Sequence, residues 1–249
     1  MRQDFRENNQ IRPLAIERNL LSNVDGSGQF SIGGTSVMCS MMGPIQPRFG
    51  HQDDFRGCSL EVRYCQANGR PSSSSLALEG VISSILSKII VLEAYPHDTI
   101  SLSFQEVMCD GGLLPCSVMA ALLALVDGGV ELIGMPVGVS IACSLPNQET
   151  GEIEYLVDPT LLEEEKGECG VFTAFFLSSS ASSTHPFFVH STATLSLQNM
   201  DFVSQLASTS TSLIESFISK SLQEQVIGEN TIHGRVQEVI PEDVKENES

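Results

Sequence analysis

The chain has no tryptophan and only three tyrosines in 249 residues, and its 13 lysines and arginines are outnumbered by 31 acids. A net charge of −18 excludes a general nucleic-acid-coating surface, because neutralising phosphates requires a basic face. No run of about eighteen apolar residues occurs, and Met1 to Gln10 is polar. Neither a membrane span nor a secretory leader is therefore expected, and the sequence reads as a soluble, intracellular protein with no membrane partner. The seven cysteines (Cys39, Cys58, Cys65, Cys109, Cys116, Cys143, Cys169) are odd in number and include no C-x-x-C pair. They are expected to be reduced core residues of a cytosolic or nuclear protein. G-x-S-x-G, P-loop and G-x-G-x-x-G patterns are also absent, so hydrolase, NTPase and dinucleotide-binding readings have no support.

What is present is a hydrophobic content of 41%, enough for a sizeable core, and an uneven charge. Through Arg70 there are eight arginines against seven acids, a net of +1; the remainder has five bases against twenty-four acids, a net of −19. Any contact with a polyanion belongs in the first third.

The stretch Asp110-Gly111-Gly112-Leu113-Leu114-Pro115-Cys116-Ser117 leads into an apolar run that stops at Asp127-Gly128-Gly129. Pro suits a first helical turn and Gly the left-handed end of a helix. Apolar residues on every side between Val118 and Val126 predict a helix buried all round. A glycine turn feeding a helix N-terminus is also a place to hold phosphate, since unpaired N–H groups converge there. Such a site adds Arg, Lys, Ser or Thr to grip the anion, and here Leu113 and Leu114 follow the turn. An ordinary tight turn before a core helix remains the alternative.

Around that helix the pattern predicts strands over 11–19, 29–32, 36–42, 58–67, 99–108, 136–145, 151–157, 171–177 and 187–197, with helices over 76–92 and 201–226. Asp25 to Gly28 and Gly33-Gly34 read as turns, the second a hairpin, and Glu163 to Gly167 as a solvated turn. Hairpins mixed with helices give an α+β domain over 1–226, followed by an acidic, loosely ordered tail over 227–249.

Asn8-Asn9-Gln10-Ile11-Arg12-Pro13 through Arg18-Asn19, Gly26-Ser27, Gly33-Gly34-Thr35 with Val37 and Cys39, the Asp110-Gly111-Gly112 turn, and Tyr155 through Asp158 fall in one order. That order resembles the RNase PH family of phosphorolytic exoribonucleases over residues 8–226. Gly112 to Cys116, Ala124 to Gly129 and Val157-Asp158-Pro159-Thr160 are similar more closely to the RNase PH-like ring subunits of the eukaryotic RNA exosome, with the component-five type as the nearest kind. The resemblance implies an RNase PH-like (ribosomal protein S5 domain 2-like) fold with mixed sheets and packed helices. It also implies a six-membered ring of related subunits carrying S1/KH cap subunits, RNA passing through that ring, and residence in nucleus, nucleolus and cytoplasm.

Active relatives grip phosphate with an Arg and a hydroxyl residue after the diglycine. At that place this chain has Leu113, Leu114 and Pro115, so Gly111, Gly112 and Ser117 are the remnant of a phosphate site. Basic residues on the preceding helix bind RNA in those relatives, where Gly80 and Ser84 stand here. Two acids six apart organise a metal in active relatives; Asp158 matches one and Glu152 lies six residues earlier, a remnant acidic pair able to hold Mg²⁺. Arg48, Arg56, Arg63 and Arg70 are candidates for contact with RNA or with acids of a ring neighbour. Phosphorolysis sets one anion against another, so loss of the cationic grip disables it. The expected function is thus a non-catalytic exosome ring subunit in 3′-to-5′ RNA processing and degradation. The alternative is a metal-dependent hydrolytic nuclease acting as a homodimer outside the ring.

Overall fold

In the computed structural model the central helix α2 runs from Leu113 to Asp127, and twelve of its fifteen residues are buried. Gly112 caps it with φ = +66°, Gly128 ends it, and Gly129 takes the left-handed turn at φ = +69°. The structure describes residues 2, 5–46, 57–70, 72–143, 154–166, 170–178, 185–192 and 197–227. Strands β1 (Leu14–Arg18), β2 (Gly26–Ile32), β3 (Thr35–Ile45), β4 (Ser59–Cys65) and β5 (Thr99–Met108) form a sheet in the order β1-β2-β3-β5-β4, antiparallel except for the β4–β5 pair. Strands β6 (Met135–Cys143), β7 (Tyr155–Val157), β8 (Val171–Ser178) and β9 (Phe188–Ser191) form a second, antiparallel sheet in the order β7-β6-β8-β9.

Helix α2 packs on β2 and β3 of the first sheet and on β6 of the second. That position between two sheets is why no face of it is polar. Helix α1 (Ser73–Leu86) lies beside it against β4, and α4 (Leu197–Ile227) covers β6 and β8 on the far side. A short α3 (Leu161–Lys166) follows β7. The core unites Phe30, Phe104, Phe172 and Phe175 with Ile82, Ile85 and the α2 side chains, each fully buried Leu, Ile or Phe contributing about 1.5–3 kcal/mol. The architecture is the expected α+β arrangement of two mixed or antiparallel sheets with helices between and outside them.

The structure departs from sequence expectation at several places, among them the strand expected over 187–197, which ends at Ser191 while Leu197 already begins α4. Residues 26–28 are strand, not turn: a Cβ on Gly28 would stand 2.5 Å from that of Leu123, so the glycine lets α2 approach the sheet. Helix α1 begins earlier, where Ser72 and Ser75 form a capping box, and ends at Leu86. Ile89 and Ile90 keep the helical spacing but are buried from an irregular segment, with Ile90 bridging to Leu132. Residues 161–166 are helical and two of their acids are engaged in ion pairing or backbone binding, as described below. Cys65 is exposed and Cys109 half-buried, whereas Cys39, Cys58, Cys116 and Cys143 are buried as expected. Cys169 and the tail beyond Ile227 lie outside the described residues.

Candidate functional site

Strand β5 delivers the chain to Asp110, Gly111 (φ = +79°) and Gly112 at the head of α2. The β2–β3 hairpin holds this turn from one side: Thr35 Oγ1 accepts from the Asp110 N–H at 2.9 Å and donates to the Gly111 carbonyl at 2.6 Å. Arg12 holds it from another, its guanidinium donating to the carbonyls of Asp110 and Gly111. A Cβ on Gly111 would sit 2.5 Å from the Pro159 carbonyl oxygen and 2.7 Å from the Leu161 nitrogen. The glycine is thus required by backbone packing onto the segment after β7.

That segment carries Asp158, itself left-handed at φ = +50° and buried. Its Oδ2 accepts from the Arg12 N–H and Nε, both at 2.9 Å, and its Oδ1 from the Arg12 Nη2 at 2.7 Å. Arg6 adds a third cationic contact at 3.5 Å. Burial pulls the Arg12 pKa down, but the hydrogen bond and charge of Asp158, helped by Asp110 and Glu164, outweigh it and hold the guanidinium above its usual range. Arg2 reaches the same loop, donating to the Val157 and Asp158 carbonyls at 2.9 and 3.0 Å and forking onto both oxygens of Glu163 at 3.0 Å. Glu163 also accepts from the Thr160 N–H at 2.9 Å. Burial raises its pKa, and the Arg2 and Thr160 hydrogen bonds more than reverse this, leaving the carboxyl below the ordinary range.

Glu164 closes the arrangement. Its Oε1 accepts from the Gly112 N–H at 2.9 Å, so the backbone donor at the head of α2 already has a carboxylate of the same chain. Burial is the main reason its pKa is raised; the Gly112 hydrogen bond and Arg12 oppose the shift, and Asp158 and Asp110 add to it. Ser117 is fully buried, and its hydroxyl donates back to the Leu113 carbonyl at 2.8 Å. Gly111, Gly112 and Ser117 all lie at the head of α2, and each is committed to contacts inside the chain.

A divalent cation needs carboxylate lone pairs facing open coordination positions. Asp158 spends three acceptor positions on Arg12, and no group of three or more His, Cys, Asp or Glu able to hold a metal occurs among the described residues. The described residues therefore do not fit the Mg²⁺ that the resemblance implies. Glu152 lies outside them, as do Arg48 and Arg56. Arg63 is exposed on β4 and Arg70 is exposed beyond the turn that follows it, and neither is among the residues that hold the diglycine knot. Gly80 is exposed on α1 with open space around it, and Ser84 bonds back to its carbonyl at 2.8 Å.

Residues 10–131, which hold Arg12, Thr35 and the diglycine turn, match the profile of the 3′ exoribonuclease family, domain 1, known as RNase PH. The chain is also 35% identical over 175 residues to the exosome complex exonuclease RRP46 homolog of Arabidopsis thaliana, 70% of either chain being covered. The chain belongs to the RNase PH family. Its fold matches rice (Oryza sativa) Rrp46 with a TM-score of 0.76 at 26% identity, covering 89% of this chain and 100% of that one. A chain of the Archaeoglobus fulgidus exosome, solved with RNA bound to the active site, has the same fold at TM-score 0.68 and 21% identity, with 87% and 92% covered. The motif residues that carry the RNase PH resemblance, Arg12, Thr35, Asp110 to Gly112 and Asp158, form one knot, buried except for the Asp110 side chain, that joins the two halves of the domain.

Sequence reasoning missed Arg12 and Glu164 as members of that knot. The sequence carries a signal for Glu164: it stands six residues after Asp158, the same spacing that separates Glu152 from Asp158 on the other side.

Proposed function

We propose that this chain is a subunit of the RNA exosome ring that takes part in 3′-to-5′ RNA processing and degradation without performing phosphorolysis itself. The observation that carries the reading is Glu164: its carboxylate takes the Gly112 N–H that a phosphate at the head of α2 would need, and Leu113 and Leu114 follow where a cationic grip belongs. A second anion brought there meets a like charge in place of a counter-charge. The RRP46 relatives support membership of the ring, and the motif residues Gly112 to Cys116, Ala124 to Gly129 and Val157 to Thr160 are the basis for reading the chain as the component-five type.

In this reading the partners are the other RNase PH-like ring subunits, the S1/KH cap subunits and the RNA that passes through, in nucleus, nucleolus and cytoplasm. Arg63 and Arg70, with Arg48 and Arg56, contact the RNA backbone or acids of a ring neighbour. No metal takes part.

The test is direct. Purified full-length chain is incubated with 3′-hydroxyl RNA and phosphate, and separately with Mg²⁺ and no phosphate, beside an active phosphorolytic enzyme. No nucleoside diphosphates are expected in the first case and no monophosphates in the second, while the tagged chain is recovered from eukaryotic cells in an assembly of mixed subunits. Phosphate-dependent release of nucleoside diphosphates sinks the reading.

A further inference from the structure

The five-stranded sheet has two unlike faces. Phe30, Val37, Cys39 and Leu102 point inward and are fully buried, while the alternate residues, apart from the buried Ser27 and Thr99 at strand ends, are half-buried or exposed and no described helix lies over them. On the central strands β2, β3 and β5 these outward positions hold no charged side chain. They are serines, glutamines and Thr99 together with Ile45 and the thioethers of Met38, Met42 and Met108, and Val107 stands in the bulge opposite Ser36 and Val37. The charges of this face are confined to its border strands. The register sets Glu17 on β1 beside Gln29, and Glu61 and Arg63 on β4 beside Ser101 and Ser103.

A face meant for water would be expected to carry charge in its middle, a surface of roughly 25–35% charged residues being the composition that favours solubility. In a chain with a net charge of −18, a neutral centre inside a charged border has the anatomy of a protein interface, where charge is depleted from the core and methionine enriched. Methionine side chains also adapt to the shape of whatever is set against them. At about 4.8 Å between strands and 3.3 Å per residue, five strands of about seven residues span about 550 Å² in plan. That is most of the roughly 800 Å² per partner of a standard interface. RNA fits this face badly, because the centre offers its phosphates no cation.

We propose that the outer face of the five-stranded sheet docks another protein, one that sets a flat, uncharged surface on β2, β3 and β5 and an acid against Arg63. The proposal rests on the reading of the chain as a member of a multi-subunit assembly and says which face the assembly covers.

Peroxide footprinting tests it, because thioethers oxidise to sulfoxides at rates set by access. Tagged full-length chain recovered in its assembly from eukaryotic cells, and the same chain purified alone, are exposed to dilute hydrogen peroxide and the methionines followed by mass spectrometry. Met42 and Met108, 48% and 62% exposed in the free chain, are expected to oxidise at least tenfold more slowly in the assembly. A Ser103→Glu variant with an unchanged melting temperature is expected to lose that protection. Equal rates in both samples overturn the proposal. So do slow oxidation already in the isolated chain, protection that grows with the chain's own concentration, which would mean a second copy, and protection conferred by single-stranded oligouridine alone. If the assembly forms with Met42 and Met108 still open, only the docking face fails; if the tagged chain is recovered alone, the multi-subunit reading fails with it.

Discussion

Arg12 and Asp158, 146 residues apart, are joined by three hydrogen bonds of 2.7 to 2.9 Å, and both side chains are 5% exposed. Removing one member of a buried ion pair leaves the other charge uncompensated, at about 3–5 kcal/mol. Asp158→Asn is expected to destabilise the fold by about that much, lowering the melting temperature by roughly 6–20 °C for a chain of this size. Thermal unfolding followed by circular dichroism measures it. A shift below about 3 °C would show that Asp158 is not a structural link.

The diglycine turn separates packing from ligand binding. Gly111→Ala puts a Cβ against the backbone of Pro159 to Leu161 and is expected to destabilise by more than about 3 kcal/mol. Gly112→Ala meets only Arg12 Nη2 at 3.3 Å and Asp158 Oδ1 at 3.5 Å, so it carries mainly the left-handed penalty of about 1–2 kcal/mol. Urea denaturation of the pair gives the order, and equal effects would contradict the close approach at Gly111.

Gly28 and Gly80 should respond to alanine with opposite signs. Gly28→Ala drives a Cβ into Leu123 on α2 and is expected to destabilise by about 1–3 kcal/mol. Gly80→Ala, exposed in the middle of α1 with nothing within 4 Å, is expected to stabilise by about 0.5–1 kcal/mol. Denaturant midpoints of the two variants settle it.

The neighbouring acids Glu163 and Glu164 contribute to pH dependence in opposite directions. Folding lowers the Glu163 pKa, so its stabilisation is present above the ordinary carboxylate range and lost as pH falls through the folded value. Glu163→Gln is expected to weaken the fold at neutral pH and to equal the wild type in strong acid. Folding raises the Glu164 pKa, so the folded state holds more protons just above the ordinary range, and stability falls as pH rises through that window. Glu164→Gln keeps an oxygen for the Gly112 N–H and is expected to remove that fall, leaving neutral-pH stability equal or higher. Denaturation midpoints from pH 3 to 8, a span of about five units around the carboxylate range, check both signs.

The sequence made some of this legible and not the rest, and the division follows the range of the forces. Pro115, Gly128 and Gly129 act locally, so the limits of α2 could be read, as could the alternation of β5 from Thr99 to Met108. Gly28 could not: nothing nearby says that its missing Cβ makes room for Leu123. Glu163 and Glu164 have the composition of a solvated turn, and their partners Arg2 and Gly112 are 161 and 52 residues away. The diglycine turn is legible from its residues but fits either anion binding or packing on local sequence; the contact of Gly111 with Pro159 to Leu161 favours a packing use.

The sandwiching of α2 between two sheets bears on how the polypeptide comes off the ribosome. Once residue 127 has emerged, one side of this helix has its first sheet to rest on, but the other waits for β6 and β8, which end only at Ser178. Over that interval an unshielded greasy surface is offered to the cytosol, the condition in which nascent chains are held by chaperones or lost to aggregation.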